Sequence, residues 1–255
     1  MNQYRIVVCA LAVFVAAPAL AAGLGAARVV ERNAAARGGI EAWRAVTSMK
    51  LTGQMDAGGG DNARLPFELT LARPNKSRLE LKFEDKPAVQ VFDGTQGWKV
   101  RPFLNRNEVE DFTPAEVKVA AAAGELDGYL IDAARKGYKI ESRGSEPVEG
   151  KPAYKLVVTG KSGDQHTVWV DETSFLEVRV DGEPRKLDGK LHKVWVYYRD
   201  YHTTSGLNVP GTLETVVDGV AKHHKMTIET VVVNPPVTAT TFAKPLPPAA
   251  GAAAH

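Results

Sequence analysis

Residues 193–210 read KVWVYYRDYHTTSGLNVP, a β-strand running into a turn, and both faces of that strand are rich in large apolar groups. Side chains alternate across a strand, so Val194, Val196 and Tyr198 share one side while Trp195, Tyr197 and Tyr201 share the other. A strand with one wet face does not look like this. Either both sides are buried, or one side lines something that the protein holds, and the stretch alone leaves open which side that is.

Most other strands in the chain are one-sided. Leu65, Phe67, Leu69 and Leu71 alternate with Pro66, Glu68, Thr70 and Ala72, and Leu79, Leu81 and Phe83 alternate with Arg78, Glu80, Lys82 and Glu84. The same period recurs in Tyr154, Leu156 and Val158, in Leu176, Val178 and Val180 against Glu177, Arg179 and Asp181, and in Met226, Ile228 and Val232. ARPNKSR, FDGTQGW, PVEGKP, GKSGDQ and DGVAK supply the Pro, Gly, Asn and Asp of hairpin connections. AGGGDNA at 57–63 reads as a further hairpin tip. These signals predict roughly ten to twelve strands in a meandering antiparallel sheet.

Two stretches carry the helical period instead. In ARVVERNAAARGGIEAWRAV, residues 27–46, two short helices meet at Gly38-Gly39. Between the strands at Trp98 and Tyr138, Thr113-Pro114-Ala115-Glu116 has the order of a capping box with Pro at the first helical position, and VKVAAAAGELDGYLIDAARKG then predicts two short helices. The fold class is therefore mainly β: one long, twisted antiparallel sheet that curls, with an N-terminal helix and an inserted helical pair that can cover its apolar concave side.

The N-terminus, MNQYRIVVCALAVFVAAPALAAG, places Arg5 before a short apolar run and Ala19-Leu20-Ala21 as a small-x-small cleavage site. That is the pattern of a secretory signal peptide over residues 1–21. Ile6, Val7 and Val8 are too bulky for a lipid-modified cysteine at Cys9, so the mature chain, expected to be periplasmic and soluble, starts near Ala22 without cysteine. About 230 residues remain, enough for one all-β domain over 22–245, and 246–255 is a loose tail of small residues. The formal charge of +2 includes Arg5 and falls to +1 without it. Such a balance gives the mature protein no electrostatic reason to seek nucleic acid or an acidic membrane, and its charged residues are mixed, not clustered.

The order of the punctuation resembles the bacterial outer-membrane lipoprotein-sorting proteins, relatives of the periplasmic carrier LolA. The residues that carry the likeness are Gly38-Gly39 with Trp43 and Gly53, Arg73-Pro74-Asn75-Lys76 with Arg78, Phe92-Asp93-Gly94 with Gly97-Trp98, and Lys136-Gly137-Tyr138. It continues in Val148-Glu149-Gly150-Lys151, Ala153-Tyr154-Lys155-Leu156, Asp200-Tyr201, Val209-Pro210 and Asn234-Pro235-Pro236 with Phe242. The chain resembles the broad branch of that family and is longer than the carrier itself. The resemblance implies a curved antiparallel sheet forming an unclosed half β-barrel, its open side covered by the inserted helical lid, with an apolar cavity that shelters a lipid or lipoprotein acyl chain and envelope membrane proteins as donor or acceptor. On the strands read above, its lining candidates are Leu69, Leu71, Leu79, Leu81, Phe83, Phe92, Leu156, Val178, Trp195, Tyr197, Met226 and Ile228.

Chemistry is sparse by comparison. His223 and His224 are neighbours in a strand and point to opposite faces, and His166, His192 and His202 stand singly, so no metal site is expected. No serine sits in a nucleophile elbow, Asp200 near His202 reads as a strand end, and no phosphate loop occurs. The expectation is a binding protein, not an enzyme, with no cofactor. The alternative is an envelope structural or signalling module that fills its own concave face and binds a protein partner.

Overall fold

The computed structural model describes residues 24–56, 64–83, 87–102 and 106–247. The signal segment, the 57–63 tip and most of the tail lie outside the described residues. The helices are α1 (Ala26–Ala36), α2 (Ile40–Arg44), α3 (Pro114–Ala123) and α4 (Ala133–Lys136). The strands are β1 (Ser48–Asp56), β2 (Arg64–Ala72), β3 (Lys76–Leu81), β4 (Ala88–Phe92), β5 (Gly97–Arg101), β6 (Arg106–Asp111), β7 (Lys139–Val148) and β8 (Lys151–Thr159). They continue as β9 (Gln165–Asp171), β10 (Glu177–Leu187), β11 (Lys190–Arg199), β12 (His202–Thr204), β13 (Leu207–Val209), β14 (Thr212–Val217) and β15 (His224–Val233).

Thirteen strands form one antiparallel sheet in the order β6-β5-β4-β3-β2-β1-β15-β14-β11-β10-β9-β8-β7. β6 and β7 are its two edges, so the sheet is not closed. They are also consecutive in the chain, so the segment carrying α3 and α4 has to cross from one edge to the other. α3 touches β3, β4 and β5 and also β10. β3 and β10 are six strand spacings apart, about 29 Å in a flat sheet at ~4.8 Å per strand. The ten residues of α3 span only about 15 Å. Both contacts are possible only because the sheet curls around the helix, which makes the helix-covered face the concave one.

Two clusters line that face. Met49, Leu51, Phe67, Leu71 and Ile228 pack with Trp43 and Val46, with Leu126 and Ile131 of the insert, and with Leu207 and Val209 of the β12–β13 hairpin. Leu156, Val158, Val168, Val170 and Val180 pack with Val29 of α1 and Leu130 of the insert. The hairpin also completes α1: Asn208 Nδ2 donates to Ala36 O at 2.7 Å, satisfying a helix-end carbonyl. Gly38 makes this approach possible, because a Cβ there would stand 2.3 Å from Gly206 O.

The 193–199 strand is two-sided, as its sequence predicts. Cross-strand register places Val194, Val196 and Tyr198 beside Val217, Val180 and Leu213 on the concave side, and Trp195 and Tyr197 on the convex side. Its outer patch is covered neither by α1 nor by the segment that carries Phe242. α1 lies on the concave face, and Phe242 packs with Ala72 and Val91 on the convex face of β2 and β4. Tyr197 instead packs with Val148, Ala153, Trp169 and Val178. Tyr201 leaves the Trp195 side because Asp200, at φ 54°, ends the strand. Its hydroxyl donates to Glu177 O at 3.0 Å.

Candidate functional site

The concave face carries most of the candidate residues, in two conditions. Leu71, Phe92, Leu156 and Ile228 are buried, whereas Leu69, Leu79, Leu81 and Met226 are half-buried and pack against the rim of the core. Phe83 lies two residues beyond the end of β3 and is half-buried. Val178, Trp195 and Tyr197 are not part of this face. A bulge in β10 sets Glu177 opposite Val170 and Arg179 opposite Trp169. Val178 is therefore the extra residue and turns outward, while Glu177 enters the concave side. Trp195 and Tyr197 face outward by strand alternation.

The mouth of the concavity is spanned by α3. Thr113 and Glu116 form its capping box, with Thr113 N donating to Glu116 Oε2 at 2.8 Å and Glu116 N to Thr113 Oγ1 at 3.3 Å. Glu116 is also paired with Lys99 of β5, an amine that is itself buried beneath the helix. Burial alone would raise the Glu116 carboxyl, but the hydrogen bond from Lys99 and those of the capping box hold it below its ordinary value. No residue of α3 is buried. The helix is thus held by a polar latch and shallow alanine contacts, whereas the following segment is anchored by Leu126, Leu130 and Ile131 and by the Arg73–Asp127 pair at 2.6 Å.

Between α3, the segment after it and the ends of β8, β9 and β10 lies a cleft of about 240 Å³. Tyr129 stacks on His166 there with ring centroids 4.6 Å apart, His166 Nε2 stands 3.9 Å from Glu183, and Tyr138 donates to Glu125 at 3.1 Å. Burial, with nearby acidic groups adding to it, pushes both phenols above their ordinary range. Asn75 also lines the cleft, and its Oδ1 is buried with no hydrogen-bond partner among the described residues. None of the apolar candidates lines it; Val158, beside Leu156 on the same strand, does. In the sequence His166 stands alone, because its partners come from Tyr129 in the insert and Glu183 across a hairpin.

No family model and no curated protein matches the sequence. The structure does have counterparts. A LolA superfamily protein from Nitrosomonas europaea superposes with a TM-score of 0.57 at 12% identity, covering 87% of this chain and 99% of that one. The two chains share one fold. The same LolA-type fold is shared with a DUF1329 family protein from Desulfovibrio piger, TM-score 0.57 at 13% identity over 86% of this chain and 97% of that one. An outer membrane lipoprotein-sorting protein domain from Vibrio parahaemolyticus gives 0.55 at 14% over 86% and 96%. Among the described residues no helix is long and apolar enough to cross a membrane, and no group of three His, Cys, Asp or Glu side chains is placed to hold a metal ion.

Proposed function

We propose that this protein is a periplasmic carrier or sensor that takes a lipid, or the acyl part of a lipoprotein, onto its concave face beneath α3. One observation carries the reading: the helix that spans the mouth buries none of its own residues, while the face below it presents the half-buried Leu69, Leu79, Leu81 and Met226. Each methylene moved out of water onto such a face contributes about 0.8 kcal/mol, so one acyl chain binds usefully without any catalytic group. The existing cleft of about 240 Å³ is below the roughly 300–1,000 Å³ of ligand pockets, so uptake requires α3 to swing outward. The LolA-type fold and its sorting-domain counterpart from Vibrio parahaemolyticus support a role in lipoprotein sorting.

Native mass spectrometry of the protein taken from its own periplasm, followed by lipid extraction, tests this. The expected result is a co-purifying acyl compound whose removal exposes saturable binding of a long-chain probe. A second reading is favoured by the centre of the concave face, where Trp43, Val46, Leu126, Ile131 and Leu207 already fill the space. It is an envelope structural or signalling module that binds a protein. Absence of both co-purified lipid and saturable probe binding would select it.

A further inference from the structure

β9 pairs with β10 only as far as Val180, and β14 pairs with β11 only from Val194 onward. The β10–β11 hairpin therefore projects beyond the sheet as a two-stranded ribbon. Its turn, Asp188-Gly189, has both residues at positive φ, 47° and 76°, the geometry of a tight two-residue hairpin. Every residue from 184 to 191 is exposed, and Leu191 is 75% exposed. Leu191 thus carries apolar surface out to the tip of the ribbon.

Register shows what they stand with. Lys186 lies opposite Leu191, and Leu191, Lys193, Trp195 and Tyr197 follow at alternate positions of β11. They form one stripe along the convex face, with Trp195 and Tyr197 half-buried. Residues 184–193 hold Arg185, Lys186, Lys190 and Lys193 against Asp188 alone, and among the described residues none of those four cations is in an ion pair. Of the neighbouring carboxylates, Asp181 accepts from Thr167 N, and Glu214 accepts from Arg199 and is paired with His223. Asp218, whose N–H donates to Lys193 O, offsets one cation. Charges are mixed along the chain as a whole, but here they collect.

We propose that the convex face of this hairpin docks the protein on an anionic phospholipid bilayer. Trp and Tyr have an apolar body and a polar tip and favour the membrane–water interface. Lysine stems lie along apolar surface while their amines reach anionic headgroups. An exposed leucine has no counterpart in a phosphate backbone, which argues against nucleic acid as the occupant. Asp188 at the turn opposes end-on insertion, so the ribbon lies on its convex side with Asp188 at headgroup level. That orientation leaves the α3-covered mouth facing the aqueous space. The inference does not depend on the carrier reading, since none of the stripe residues touches the concave core.

Co-sedimentation of the mature protein with phosphatidylcholine vesicles, with and without phosphatidylglycerol, tests it. Binding is expected only to the anionic vesicles, is lost at high salt, and brings a blue shift in tryptophan emission that Trp195→Phe removes. Each of Lys186→Ala and Lys193→Ala lowers the partition about fivefold, whereas Lys190→Ala, on the opposite face of the ribbon, changes it much less. Leu191→Ser lowers it about tenfold or more. These sites are exposed, so unchanged thermal unfolding confirms that folding is intact. Equal binding to both kinds of vesicle, no binding to either, or a Leu191→Ser protein that binds like the parent would overturn the proposal.

Discussion

The guanidinium of Arg37 and the carboxylate of Glu177 meet at 2.9 and 3.1 Å across 140 residues of chain, with both side chains more than nine-tenths buried. Arg37 Nε also donates to Asn208 O at 3.1 Å. Its guanidinium lies 4.4 Å over the Trp43 ring, and Trp43 Nε1 donates to Arg37 O at 2.9 Å. One residue thereby ties the end of α1, the β12–β13 hairpin and the β10 bulge together.

Breaking this pair leaves a buried charge unpaired. Arg37→Met and Glu177→Leu are each expected to destabilise by about 3–5 kcal/mol. The double variant Arg37→Met/Glu177→Leu should lose clearly less than their sum, because no orphan charge remains. Urea unfolding of all four proteins checks this, and simple additivity would show that the two groups are not coupled.

The tyrosines beside the pair make stability fall at high pH. Burial, with Glu177 nearby, pushes the Tyr198 phenol up to about 12 and Tyr201 well above its ordinary value, whereas an unfolded tyrosine ionises near 10. Between about pH 10 and 12 the unfolded chain has lost a proton that the folded chain keeps, so stability declines as pH rises through that window. On the acid side, hydrogen bonds from Lys155 and Trp169 hold Glu146 below its usual value, and His223 and Arg199 do the same for Glu214. Their contribution is present above the unfolded carboxyl pKa of about 4.3 and disappears as pH falls through the lower folded values. Thermal unfolding against pH should trace both arms, and Tyr198→Phe should make the alkaline one shallower, with Tyr201 still contributing, and leave the acid one unchanged.

The sheet and its lid were legible because their signals are local. Alternation located β2, β3 and β8, the Thr113–Glu116 box located α3, and the glycine pair located the α1–α2 corner. What sequence misassigned turns on single residues of register. In LEVRVD the period of two groups Val178 with Val180 and puts Glu177 in water, and nothing in those letters marks the bulge that turns Val178 outward and brings Glu177 in while Val180 stays on the concave side. Trp195 and Tyr197 failed as cavity residues for another reason: alternation separates two faces but does not say which one the helices choose. The Tyr129–His166–Glu183 contact was invisible because it joins three elements distant in sequence.

α3 should exchange its amide hydrogens faster than the strands beneath it. Its exposed valine, Val119, is 44% accessible, and its hold on the sheet is the Lys99–Glu116 pair. Thr113→Ala removes the cap and costs the helix about 1 kcal/mol. Hydrogen exchange by mass spectrometry should show protection over residues 115–123 falling further in this variant while β1 and β2 are unchanged. Exchange in α3 as slow as in β1 would mean that it is not a lid.

The last prediction separates a binding face from a filled core. Leu81 lies opposite Phe67 and Ala88 and is half-buried beside Leu69 and Leu79. A charge there, as in Leu81→Asp, would abolish probe binding but would also destabilise either kind of protein, so it discriminates nothing. Leu81→Phe is sharper. Enlarging a side chain in a fully packed core strains it by about 1–3 kcal/mol, but at a half-buried position the ring can turn toward the open side and occupy the path of a ligand. The variant should therefore unfold within about 1 kcal/mol of the parent and bind a long-chain fluorescent acyl probe at least tenfold more weakly. If instead it is strongly destabilised and the parent binds no probe, Leu81 belongs to a filled core and the protein-binding module is the better reading. If the folded variant binds as well as the parent, the acyl chain does not run over β3, and the carrier reading loses the surface on which it rests.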